Sequence, residues 1–88
     1  MAAGNELSLK DKVILQHMTH ELWSPIAAVH RNLEEANWDQ WTRETTGNRI
    51  RHLADLGLVE RDDQRYGFYR ITPAGIDVAM DLEMPKQV

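Results

Sequence analysis

Polar side chains able to recognise nucleic acid are concentrated between residues 42 and 56. Arginine matches the guanine edge and asparagine the adenine edge, so both are suited to the DNA major groove. If Ile50, Leu53 and Leu56 face inward, an arginine-bearing face remains outside. The candidate base or near-base contacts are Arg43, Thr45, Asn48 and Arg49, and the candidate phosphate contacts are Thr42, Thr46 and Arg51. The alternative is a solvated face whose arginines only form ion pairs.

A further candidate contact lies in a polar turn between two short apolar runs. Residues 58–61 and 68–71 have the composition of short strands, and the turn between them contains Gly67. Arg65 at the tip of this expected hairpin is placed to reach a phosphate or the minor groove. Asp62 and Asp63 beside it would repel phosphate, which counts against a strong contact.

The distribution of charge favours a local nucleic-acid surface on an acidic body. The 88-residue chain has a net charge of −4, yet the segment from Arg43 to Arg70 carries six arginines and five acidic residues. That segment therefore has a net charge of +1, and the remainder a net charge of −5. Such a pattern suits specific DNA binding with little indiscriminate binding.

The sequence gives little support for a metal site or for an enzyme active site. His17 and His20 beside Glu21, with His30 further on, suggest a metal site, but such sites need three or four converging ligands. A hydrogen-bonded core histidine is the commoner role for His17, and no metal or other cofactor is expected. The chain also lacks a nucleophile motif, a glycine-rich phosphate loop and a cysteine, so no enzyme activity is expected.

The three tryptophans indicate either core packing or an interface. Trp38 and Trp41 are expected to fill the angle between the second and third helices, whereas Trp23 precedes the second helix. The aromatic content, together with Met80 and Met84 near the end of the chain, predicts a homodimer.

Capping signals and periodicity predict the order α-α-α-β-β-α. Ser8 with Asp11 forms a capping-box pattern, and Ser24-Pro25 and Thr72-Pro73 are typical of helix starts. The third helix is expected to be capped by Thr42 or Asp39. The expected helices cover residues 9–21, 25–37, 42–56 and 73–84, the strands 58–61 and 68–71, and flexible tails 1–7 and 85–88.

Two short motifs then suggest a family. The residues GLVER at 57–61 and YRITPAG at 69–75 resemble winged helix-turn-helix domains of bacterial and archaeal transcription regulators. The likeness is to small archaeal and phage-repressor-like proteins and, more distantly, to MarR- and ArsR-type proteins. It implies one α+β, mainly α domain over residues 8–84: a three-helix bundle, a two-stranded hairpin wing and a C-terminal helix.

The resemblance and the candidate site together predict a sequence-specific regulator of transcription that binds double-stranded DNA. Repression is favoured over activation, because a DNA-binding module acts most simply by occupying a site. The alternative is a winged-helix protein–protein interaction module that does not bind DNA. No secretion signal and no apolar run of roughly 20 residues are present, so the expected location is the cytoplasm and no membrane partner is expected.

Overall fold

A computed structural model describes residues 7–38 and 40–81 as a small α+β domain that is mainly helical. Its four described helices pack with a three-stranded antiparallel sheet. No helix among these residues is long and apolar enough to cross a membrane. In chain order the elements are α1 (Leu9–Gln16), β1 (Ser24–Pro25), α2 (Ile26–Glu35), α3 (Arg43–Asp55), β2 (Val59–Arg61), β3 (Phe68–Ile71) and α4 (Pro73–Asp81).

The first helix is shorter than its apolar periodicity predicts. Helix α1 begins with the predicted capping box between Ser8 and Asp11, but it ends at Gln16 instead of continuing to Glu21. Glu21 has a φ of 65°, a left-handed conformation that a helix does not contain. The segment after this turn leads into Ser24 and Pro25, which pair with the sheet.

The sheet contains a strand that the sequence pattern did not predict. Ser24 and Pro25 form β1 and pair with Tyr69 and Phe68 of β3, which gives the strand order β1-β3-β2. The expectation that Ser24 caps the second helix is wrong, since its hydroxyl donates to the Leu22 carbonyl oxygen. Pro25 keeps an extended backbone and leads into α2 without a side-chain cap.

The predicted hairpin and final helix are joined to α3 by a compact set of hydrogen bonds. Gly57, with a φ of 79°, takes the left-handed conformation that commonly follows a helix. The Thr72 amide donates to the Leu58 carbonyl oxygen at 3.1 Å, and the Thr72 hydroxyl donates to that of Gly57 at 2.8 Å. The same hydroxyl accepts from the Gly75 amide, so Thr72 caps α4 as predicted.

The apolar core lies between the helices and the inner side of the sheet. Leu7 belongs to it, which corrects the expectation for that residue, whereas residues 1–6 of the predicted tail lie outside the described residues. Met80 is 76% exposed, so it does not share the buried face of α4 with Ala79. Met84 and Pro85, predicted to continue and end that helix, lie outside the described residues. The core consists of Leu7, Val13, Ile14, Leu15, Met18, Val29, Leu33, Trp41, Ile50, Leu53, Leu58, Val59, Tyr69, Ile71 and Ala79.

Candidate nucleic-acid interface

Two threonines fix the start of α3, the helix that carries most of the candidate contacts. The Thr42 side-chain oxygen accepts from the Thr45 amide at 3.1 Å and lies 3.0 Å from the Thr45 hydroxyl. This cap satisfies an amide that would otherwise lack a partner at the helix start. Thr42 is exposed and Thr45 half-buried, so both predicted contacts border the outer surface.

The outer face of α3 carries three of the predicted contact residues. Arg43, Asn48 and Arg51 are all exposed. The Arg51 Nη1 donates to the Asn48 Oδ1 at 2.8 Å, which joins these two side chains into one polar unit. Within the described part of the chain, neither Arg43 nor Arg51 forms an ion pair with a carboxylate.

An open pocket of about 420 Å³ lies where the start of α2 meets this face. Its lining residues are Ile26, Arg43, Glu44, Gly47 and Arg51. Gly47 is buried between the two helices, and a Cβ atom there would lie 3.3 Å from the Ile26 Cδ1 atom. The close approach of α2 therefore explains a glycine inside α3, where it costs about 1 kcal/mol relative to alanine.

Arg49 lies on the opposite side of α3, against α1. Its Nε and Nη2 atoms donate to the two carboxylate oxygens of Asp11 at 2.8 and 2.7 Å. Asp11 is fully buried, and its carboxylate also accepts from the Ser8 amide at 3.1 Å. This contact corrects the expectation that Arg49 reads a base, because its guanidinium is engaged within the domain.

Asp11 and Arg49 each stabilise the charged form of the other. Burial on its own would raise the pKa of Asp11, but hydrogen bonds from Arg49 and the Ser8 amide outweigh it, and the pKa lies below the ordinary value. The hydrogen bond to Asp11 likewise raises the pKa of Arg49. Both groups are therefore charged at neutral pH, and the pair fixes α3 to α1.

Thr46 also points into the domain, on the same side of α3 as the buried Ile50 and Leu53. Its side chain has no exposed surface, and its hydroxyl donates to the Thr42 carbonyl oxygen at 3.3 Å. The Nδ1 atom of His30 on α2 lies 3.0 Å from the same hydroxyl. The expectation that Thr46 contacts phosphate is therefore wrong, because its polar atom is enclosed and used within the protein.

The hairpin tip exposes Tyr66 beside the predicted contact Arg65. The Arg65 guanidinium donates to Asp62 at 2.9 Å and lies 4.5 Å from the Phe68 ring centroid, so it folds back on the hairpin. The Gln64 amide and the Arg65 guanidinium lower the pKa of Asp62 below its ordinary value. Tyr66 is 99% exposed and protrudes from the turn.

The histidines and tryptophans mostly serve packing and turns. The Nδ1 of His17 lies 2.9 Å from the Val13 carbonyl oxygen, and the Nδ1 of His20 accepts from the Leu22 amide. Among the described residues, no three His, Asp or Glu side chains are grouped as a metal site would require.

Trp41 is buried in the core, and the Trp38 ring centroid lies 5.7 Å from it. Trp38 also packs against the core from the connection between α2 and α3. Trp23 stacks with the Arg70 guanidinium at 4.2 Å, and Arg70 in turn pairs with Glu60. The tryptophans thus do not form one exposed aromatic surface.

Comparisons with protein-family models, curated proteins and solved structures gave no match to this chain.

Proposed function

We propose that this domain is a winged helix-turn-helix that binds double-stranded DNA in a sequence-specific manner and regulates transcription. The element order supports the proposal: three helices are followed by a hairpin and a fourth helix, and β1 ties the segment between α1 and α2 to that hairpin. In such a domain α3 would enter the major groove, and the turn between β2 and β3 would lie over the neighbouring backbone.

The outer face of α3 is the observation that carries the proposal. Arg43 and Arg51 are exposed and make no ion pair within the described residues, whereas Arg49, Arg65 and Arg70 each hold a carboxylate. Positive side chains left without partners on one helix face are available for phosphates and base edges. The open pocket between them leaves room for a ligand surface to approach.

The hairpin would add a second contact, in which Arg61 and Tyr66 join the exposed Arg65. Arg61 at the end of β2 is exposed, and Tyr66 protrudes fully from the turn. Arg61 is suited to a phosphate, and the Tyr66 hydroxyl to a phosphate or sugar. Because Asp62 is already paired with Arg65, its negative charge is partly compensated beside the approaching backbone.

Dimerisation, repression and a cytoplasmic location belong to the same proposal. Two copies would double the phosphate contacts and suit a palindromic site. Repression follows most simply from occupying such a site, and the bacterial and archaeal regulators that the sequence resembles act in the cytoplasm. The alternative protein–protein role would use the acidic body and the tryptophans as its surface, and the buried position of Trp41 removes that tryptophan from it.

Fluorescence anisotropy with mixed-sequence duplex DNA tests the proposal directly. With about four phosphate contacts, the affinity should fall roughly 100-fold between about 50 and 200 mM salt. Arg43→Ala should weaken binding, because it removes from the outer face a cationic side chain that has no carboxylate partner among the described residues. Arg31→Ala is the matched control, since Arg31 is an exposed arginine of α2 that pairs with Glu35. Absence of salt-dependent binding at low salt would refute the proposed function.

A further inference from the structure

The contact between Arg51 and Asn48 limits what this part of α3 can recognise. The Asn48 Oδ1 accepts from the Arg51 Nη1 at 2.8 Å, and both side chains are exposed. Because its oxygen is turned toward Arg51, the asparagine amide presents mainly its two N–H donors to an approaching base. The Arg51 guanidinium retains further N–H groups on its other nitrogens. The joined side chains therefore present donors.

Base edges in the major groove differ in the hydrogen-bond donors and acceptors that they present to such a unit. Asparagine recognises adenine by accepting from the N6 amino group and donating to N7, which requires both the amide oxygen and the amide nitrogen to face the base. Guanine presents two neighbouring acceptors, O6 and N7. A unit of donors therefore matches guanine and mismatches adenine.

Local packing holds this unit in place before any ligand arrives. The Arg51 Nη2 atom lies 3.4 Å from the position that a Gly47 Cβ would occupy, so the guanidinium lies back across Gly47. Ile26 of α2 lines the same pocket. A guanidinium already fixed by a hydrogen bond and a packing surface loses less freedom when it binds.

We propose that Arg51 and Asn48 act together as a guanine-reading pair in the major groove. The proposal rests on the proposed DNA-binding function and specifies which base the site selects. It reassigns Arg51, which the sequence suggested as a phosphate contact, to base recognition. It also makes Asn48 a positioning residue that sets the direction of the Arg51 donors as well as a donor itself.

The experiment begins with selection of preferred duplexes from a randomised pool by the full chain. Each selected guanine is then replaced, one at a time, by 7-deazaguanine, which lacks the N7 acceptor. One such replacement should weaken binding by the wild-type protein roughly tenfold. The same replacement should change the affinity of Arg51→Lys much less, because lysine cannot both hold Asn48 and match the two guanine acceptors.

Two further variants separate base recognition from charge. Arg51→Lys keeps the positive charge, so its salt dependence on non-specific DNA should equal that of the wild type, while its guanine preference is lost. Asn48→Ala should reduce the guanine preference because Arg51 loses its anchor. Arg31→Lys, an exposed arginine of α2, should change neither property.

Three outcomes would overturn the inference. If Arg51 contacts a phosphate, Arg51→Lys would keep the wild-type sequence preference. The wild type could also select adenine at the position where Asn48→Ala shows no base preference. That result would show that the amide oxygen of Asn48 faces the base. Insensitivity of every selected guanine to 7-deazaguanine would also refute the pair. Failure of the wild type to bind any duplex would instead refute the proposed function, and the inference with it.

Discussion

Arg49 and Arg51 are two residues apart on α3, yet they occupy opposite environments. Arg49 donates two hydrogen bonds to the buried Asp11 of α1, whereas Arg51 is exposed and touches the neutral side chain of Asn48. Two residues correspond to a rotation of roughly 200° about a helix axis. An arginine on an amphipathic helix therefore has a structural role where a neighbouring element provides a carboxylate, and is available for binding where none does.

The inner side of α3 also determines how the outer side is presented. Arg49 holds the helix to α1, and Thr46 meets His30 of α2, so polar contacts on two sides fix its rotation. A base-reading face needs such fixed support, because small displacements of its donors weaken recognition. Substitutions on the two sides should consequently affect different properties, stability for the inner side and DNA affinity for the outer side.

The largest expected effect comes from Arg49→Ala. It leaves the fully buried Asp11 carboxylate without its cationic partner, so the free energy of unfolding should fall by about 3 kcal/mol. Urea denaturation of the full chain measures this loss. Arg51→Ala, the matched outer-side variant, should change stability by no more than about 0.5 kcal/mol. Similar losses for both variants would break the distinction between the two sides.

Acidification tests the same inner contact by removing a charge. The folded-state pKa of Asp11 lies below the ordinary 3.8, so folding favours its charged form and the stabilisation is fully present above that value. The stability advantage of the wild type over Asp11→Asn should therefore be constant near about pH 6 and shrink as the pH falls below 3.8 toward the folded-state pKa. Urea denaturation across this range measures it, and an advantage that grows in acid would contradict the prediction.

Thr46→Val should have a smaller effect on stability. It keeps the shape of the buried side chain but removes the hydroxyl that meets His30 and the Thr42 carbonyl oxygen, at a cost of about 1 kcal/mol. Thr46→Ser retains the hydroxyl and serves as the control in urea denaturation. DNA affinity should be unchanged under conditions where both variants are folded. Weaker DNA binding without a loss of stability would restore Thr46 as a phosphate contact.

Elements with local signals could be predicted from the sequence. The Thr42 cap, Gly57 after α3 and the Thr72 cap of α4 each depend on residues within a few positions of one another. Strand β1 has no such signal, because Ser24 and Pro25 become a strand only through pairing with β3 far along the chain. The Ser-Pro pair does precede a helix start, since α2 begins at Ile26, but the pairing with β3 and the absence of a Ser24 cap are not visible in the local sequence.

The candidate site likewise has features that local spacing predicts and features that depend on tertiary contacts. The spacing of Ile50 and Leu53 correctly predicts that Asn48 and Arg51 are exposed. The same spacing does not show that Asp11, besides forming the capping box of α1, also pairs with Arg49. That contact depends on how α1 packs against α3. Periodicity assigns a face to a side chain, whereas its partner is decided by the approach of another element.

The smallest expected effect comes from Glu44→Gln, which tests the acidic side chain that lines the pocket on the outer face. Glu44 is exposed beside Arg43 and Arg51 and has no ion pair within the described residues. Removing its charge should leave stability unchanged and strengthen DNA binding about twofold at low salt, because a repulsion with phosphate is lost. The gain, measured by anisotropy, should diminish as salt screens that repulsion.

Glu35→Gln is the control for this gain, since it makes the same change in net charge on α2, where Glu35 pairs with Arg31. A smaller gain from Glu35→Gln would show that the local charge of α3 governs binding, as an outer face in contact with DNA requires. Equal gains would mean that only the net charge matters. A loss of affinity in Glu44→Gln would assign the carboxylate itself to recognition, since a carboxylate can accept from the amino group of cytosine. The outer face would then combine the donors of Arg51 and Asn48 with an acceptor four residues before Asn48.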